Sequence, residues 1–194
     1  MEKIKSLLSG YFTKAYLKYP VLAGCITAYI FTKNTSLVMI APDVFIRPSI
    51  AFLYLAAVVV PYPLTFALPL VAMIGSTHPL QVFISVLVGS QVCFFLSKLI
   101  TWRGDKQNRV IAMSIATFLA QFTTAGFKTI TGEMPFFSYL PLGMTKAAVA
   151  LIPIVVVGFG ALWLMEYLKV IDFRRASEGY KLKEFTQSLS RFKR

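Results

Sequence analysis

Sixteen of the twenty lysines and arginines in this 194-residue chain fall on one side of a series of apolar stretches, and no other feature restricts its fold as strongly. Six such stretches can be drawn, over 20–32, 48–60, 64–77, 79–97, 110–130 and 145–168. Lys3, Lys5, Lys14 and Lys18 precede the first. Lys98, Arg103, Lys106 and Arg109 lie at the junction of the fourth and fifth, and Lys169, Arg174, Arg175, Lys181, Lys183, Arg191, Lys193 and Arg194 follow the last. Helices in a membrane keep Lys and Arg on the inner side in this way. Six crossings place both ends on that side. The other four cations, Lys33, Arg47, Lys128 and Lys146, fall to the outer face.

Composition points the same way. The chain is 57% hydrophobic and 14% charged, with a mean hydropathy of +0.68, outside the range of an ordinary soluble domain. The expected fold is an all-α bundle of about six transmembrane helices. Its second and third spans fall short of the roughly 20 residues that a straight crossing needs, so they are expected to be short, tilted or broken. The net charge of +12 resides in juxtamembrane clusters. Anionic lipid headgroups are therefore the expected partner, and nucleic acid is not. The cell membrane is preferred over an organelle membrane.

Three regions follow. Residues 1–19 read as a basic interfacial segment: Ile4, Leu8, Tyr11, Phe12, Ala15 and Tyr19 recur at helical spacing among lysines, and Pro20 marks the turn into the first span. Residues 20–170 form the six-span domain. Residues 171–194 form a basic inner tail in which Phe185, Leu189 and Phe192 recur at helical spacing. Within the domain, Pro61-Tyr62-Pro63 ends the second span, Pro69 breaks the third, and Gly75–Pro79 forms an outer turn. Gly132–Gly143 reads as an aromatic-rich outer loop. Trp163, Tyr167 and Lys169 form an inner interfacial belt.

Enzyme chemistry finds little support. One histidine and two cysteines, Cys25 and Cys93, both within apolar stretches, provide neither a disulfide framework nor a metal set. Leu22-Ala23-Gly24-Cys25 has the form of a lipoprotein cleavage box, but Lys14, Lys18 and Pro20 interrupt the apolar run that should precede it. No phosphate-binding loop or paired-carboxylate spacing occurs. No cofactor is expected. What remains is a set of polar groups at the outer helix ends, which includes Asp43, Thr123 and Glu133. From it Asn34, Arg47, His78, Gln81, Thr124, Lys128 and Lys146 are taken as candidate ligand-binding residues, because polar and ionisable groups at membrane depth are costly to keep without a role. Lys128 and Lys146 are expected to converge on one pocket, with Arg47 closing it. In the first span Ala23/Thr27 and Gly24/Ala28 form two small-xxx-small pairs, a surface on which another helix can pack closely.

The order of these features resembles the substrate-binding membrane subunit, the S-component, of energy-coupling-factor vitamin transporters. The resemblance runs over about residues 20–170 and is carried by Val21–Ala28, by the second span broken at Pro61-Tyr62-Pro63, and by Phe94-Phe95-Leu96-Ser97-Lys98 closing the fourth. It also includes Arg109–Met113 and Leu140–Lys146. The paired alanines of that family's first span appear here as Ala23 with Thr27 and Gly24 with Ala28. The resemblance implies a pocket opening outward, lined by the first outer loop and the outer halves of spans four to six. It also implies docking of the first span on a membrane coupling subunit. A similarity of segment order to trimeric intracellular cation channels is weaker, since their glycine-rich and Lys-Glu-Val motifs do not occur. The leading expectation is a protein that binds a small anionic or zwitterionic solute for uptake. The alternatives are a cation channel and a scaffold subunit of a larger membrane complex.

Overall fold

The computed structural model describes residues 15–34, 38–42, 44–99 and 105–171. Most of the expected interfacial segment and all of the tail beyond Ile171 lie outside these residues. A 3-10 turn, Ala15–Leu17, leads into α1 (Lys18–Thr32). Pro20 sits within the first turn of α1, where the missing N–H has no helical partner to lose. Two short strands follow, β1 (Val38–Ala41) and β2 (Val44–Ile46), paired antiparallel with Val38 opposite Ile46. Sequence reading expects only a polar loop here. Val44 is buried, and β2 packs against a later helix.

The centre of the molecule is α2 (Ser49–Val59), of whose eleven residues nine are buried. It is apolar all round because protein surrounds it: α1, the helices over Pro79–Leu99 and Asp105–Ile130 and a π turn all pack on it. Lipid tails are as apolar as the core, so burial from lipid drives association weakly and close packing has to do so instead. Ala51, Ala56 and Ala57, all fully buried, let the neighbouring backbones approach.

Val60 and Pro61 then take extended backbone angles (φ −82°, ψ 147° and φ −58°, ψ 146°) and end α2. The third stretch is broken, as expected, into α3 (Tyr62–Thr65) and α4 (Ala67–Met73). The break falls at Phe66, however, and Pro69 lies within the first turn of α4, where proline is tolerated.

Among the described residues, three helices are long and apolar enough to cross a membrane: α5 (Pro79–Leu99), α6 (Asp105–Ile130, of which Lys106–Ile130 qualifies) and the continuous run from Phe136 to Tyr167. That run comprises α7 (Phe136–Pro153), one π turn (Ile154–Gly158) and α8 (Phe159–Tyr167). The aromatic segment read as an outer loop is thus mostly the start of α7. Pro135 opens the helix, and Pro141 lies inside it. In hydrocarbon a helix is the only local way to pair the backbone, and it outweighs the single bond that Pro141 forgoes. The run's 32 residues span about 48 Å at 1.5 Å per residue, more than the ~30 Å hydrocarbon core. Its outward side is apolar, with Val156 68% exposed; on α1, Phe31 is 78% exposed. Such a surface fits a membrane protein. The first three expected spans are the 15-residue α1, the 11-residue α2 and the divided α3–α4 pair, all shorter than a straight crossing.

Candidate functional site

Polar side chains of three long helices meet, and on two of them they follow helical periodicity. On α5 they are Gln81 and Ser85, one turn apart; on α6, Thr117, Gln121 and Thr124 at spacings of four and three; on α7, Lys146. With Ser49 and Tyr54 of α2, Tyr29 of α1, and Lys33 and Arg47 from the outer connections, they line a cavity of about 510 Å³. Phe45, Ile50, Leu53, Val82, Val86, Ala120 and Ala150 supply the apolar part of the wall, and Ser76 adds a further hydroxyl. This volume lies within the range of small-molecule sites, roughly 300–1,000 Å³. Thr117 stands midway along α6, and Lys146 is ten residues into α7, about 15 Å from its outer end. The cavity therefore reaches from the connections that carry Lys33 and Arg47 toward the middle of α6.

Its electrostatics are one-sided. Lys33, Arg47 and Lys146 contribute three positive charges, and among the described residues no acidic side chain lines the wall. The Lys33 ammonium donates to the Ala72 carbonyl at 3.0 Å and the Ile74 carbonyl at 2.5 Å, at the end of α4, where the helix dipole favours a cation. Tyr29 Oη donates to the same Ala72 carbonyl at 3.3 Å. Together they tie α1 to α4. Burial pushes Lys33 below the ordinary lysine pKa. The Arg47 guanidinium stacks over Phe45 of the hairpin at 5.2 Å, an arrangement that holds it in place at the cavity mouth.

Of the residues proposed from sequence, the cavity brings together Arg47, Gln81, Thr124 and Lys146. Asn34 and His78 are exposed and do not line it. Lys128 does not converge with Lys146. The reason is the way α6 ends: Gly132 adopts φ +75°, a conformation that suits glycine, and the chain turns back so that the Glu133 N–H reaches the Lys128 carbonyl at 2.9 Å. That turn places the Glu133 carboxylate 2.7 Å from the Lys128 ammonium. The hydrogen bond from Lys128 holds the Glu133 carboxyl below its ordinary pKa. A helix-end ion pair accounts for Lys128, while Lys33, which sequence reading placed outside but left out of the site, takes the third cationic position. Of the polar stripe of Thr117, Gln121 and Thr124, sequence reading took only Thr124; the spacings of four and three are the signal that finds the other two, whereas nothing local distinguishes Tyr54 from a core tyrosine.

The small-residue face of α1 points outward: Ala23, Gly24 and Thr27 are exposed and Ala28 is half-buried. A Cβ built on Gly24 would meet open space. Away from the cavity, Arg109, 2% exposed, donates to the Val58 carbonyl at 3.3 Å and secures the end of α2. Lys106 and Glu166 join the beginning of α6 to the end of α8 at 2.5 Å. Comparison with known proteins finds no matching family model, no matching curated protein and no matching solved structure.

Proposed function

We propose that this chain is a multi-pass membrane protein that captures a small anionic or zwitterionic solute from the outer side and assists its uptake, with six crossings and both termini inside. Its role is binding and not catalysis. The observation that carries this reading is the cavity of about 510 Å³ with Lys33, Arg47 and Lys146 on its wall and no acidic lining residue among those described. Cations held in a partly buried, low-dielectric site attract an anion more strongly than they would in water. The same charges repel cations, which weighs against a cation channel. The resemblance to energy-coupling-factor S-components agrees with an outward pocket, and the outward small-residue face of α1 suits packing against a second membrane subunit.

The test is mass spectrometry of small molecules that co-purify with the full chain, followed by saturable rebinding of the compound found. Capture of an anion or zwitterion supports the proposal. Absence of any saturable solute would favour a scaffold, and ion flux without saturation a channel. Labelling of single cysteines placed at 34 and 185 from opposite sides tests the crossings; labelling of both from one side would refute an even number of spans.

A further inference from the structure

A residue outside the cavity fixes which end of the Gln121 amide is available within it. Tyr139 of α7 is buried, and it does not line the cavity. Its hydroxyl donates to Gln121 Oε1 at 3.1 Å, across from α7 to α6. A phenol has one proton to give, whereas a glutamine amide has an acceptor end and a donor end. Turned over, the amide would set its N–H groups against the phenol oxygen and leave the phenol proton without an acceptor among the described residues, a costly state for a buried donor. Oε1 is therefore committed to Tyr139, and the two N–H groups are what Gln121 has left to offer the cavity it lines. Gly143 makes room for this tether. A Cβ there would come within 3.0 Å of the Tyr139 ring and 3.5 Å of Gln121 Cβ, so a larger residue would displace the ring from the amide.

We propose that Gln121 determines specificity and that Tyr139 is its positioning residue: the tethered amide donates to a carbonyl oxygen of the solute, so the cavity prefers a carboxylic acid that also bears a carbonyl. This rests on the reading of the cavity as an anion site and deepens it. A carbonyl oxygen accepts and cannot donate, which matches an amide whose own acceptor is already engaged. An untethered amide could turn either end to the solute and would lose that preference. Lys146 lies three residues beyond Gly143, on the same face of α7. One short chain that carries both a carboxylate and a carbonyl can therefore reach both residues.

Three five-carbon acids separate charge from acceptor: pentanoate, 2-oxopentanoate and 4-oxopentanoate, titrated calorimetrically into the purified full chain. At least one keto acid should bind about twofold to tenfold tighter than pentanoate, the range of one net hydrogen bond. Gln121→Leu should bring that ratio to about one. So should Tyr139→Phe, which keeps the ring and removes only the tether. In a Gln121→Leu background, Tyr139→Phe should not weaken the keto acid further, because Tyr139 acts through Gln121. Pentanoate binding as tightly as both keto acids would overturn the assignment and leave the anion site standing. A ratio that survives Tyr139→Phe, even with all three acids weakened in parallel, would reduce Tyr139 to a structural residue and overturn its positioning role, as would a further loss in the double variant. A ratio that survives Gln121→Leu would overturn the role of Gln121. Binding of none of the three acids would overturn the anion site as well.

Discussion

Replacing Lys146 by methionine tests the cavity most directly, because Met preserves length and apolar bulk while it deletes the charge. Lys146 stands about 15 Å along α7 from its outer end and lines the same wall as Thr117, Gln121 and Ala150. At 4 Å and an effective dielectric of about 20, two unit charges attract by ~4 kcal/mol before desolvation is counted. Measured hydrogen bonds to charged groups retain about 1.5–3 kcal/mol. At roughly 1.4 kcal/mol per decade, Lys146→Met should weaken the captured anion by about one to two decades, read by calorimetry on protein whose thermal midpoint has been checked. Lys128→Met is the matched control. Its ammonium is engaged by Glu133 at the end of α6 and does not line the cavity, so affinity should change less than about twofold, as expected for a change in an exposed ion pair outside the site. Equal losses in the two variants would refute the assignment of charge to the cavity. Unchanged affinity in Lys146→Met would refute the anion site itself.

Three other outcomes follow from the packing and the turn. A Cβ at Gly89 would collide with the Tyr54 hydroxyl and come within 3.0 Å of its ring, so Gly89→Ala should lower stability by about 1–3 kcal/mol in thermal unfolding in detergent. Tyr54→Phe in the same chain should recover part of the loss; no destabilisation by Gly89→Ala would show that α2 and α5 do not pack this closely. Gly24→Leu adds bulk where the Cβ meets open space; solute binding and thermal midpoint should stay constant while association with a partner subunit, and with it transport, falls. The lowered Glu133 pKa means that the Lys128 pair is present above the ordinary glutamate value of 4.5 and is lost as pH falls below that value through the folded one. Carbon-13 NMR titration of Glu133 should place its midpoint below 4.5, and Lys128→Met should raise it.

Two properties were legible in the sequence alone: the apolar helical character of the chain and the grouping of most of its cations in clusters between and beyond the apolar stretches. Both depend on composition and local period, and α5 and α6 accordingly begin and end within a few residues of the stretches drawn from hydropathy. Local signals misled where tertiary surroundings outweighed them. Pro135 and Pro141 read as a loop, yet the apolar setting keeps the chain helical through Pro141. The 11-residue α2 reads as a deficient span, yet it is the buried axis around which other helices pack. The site divides in the same way. Outer cations were recognisable by exclusion from the inner clusters, and Gln81 and Thr124 by their place near helix ends. Which cations share a cavity depended on the third dimension. The backward turn at Gly132 gives Lys128 to Glu133, and the approach of α1 to the end of α4 brings Lys33 to the cavity wall. Neither contact has a local signature, because each is set by how one helix ends relative to a chain segment folded against it.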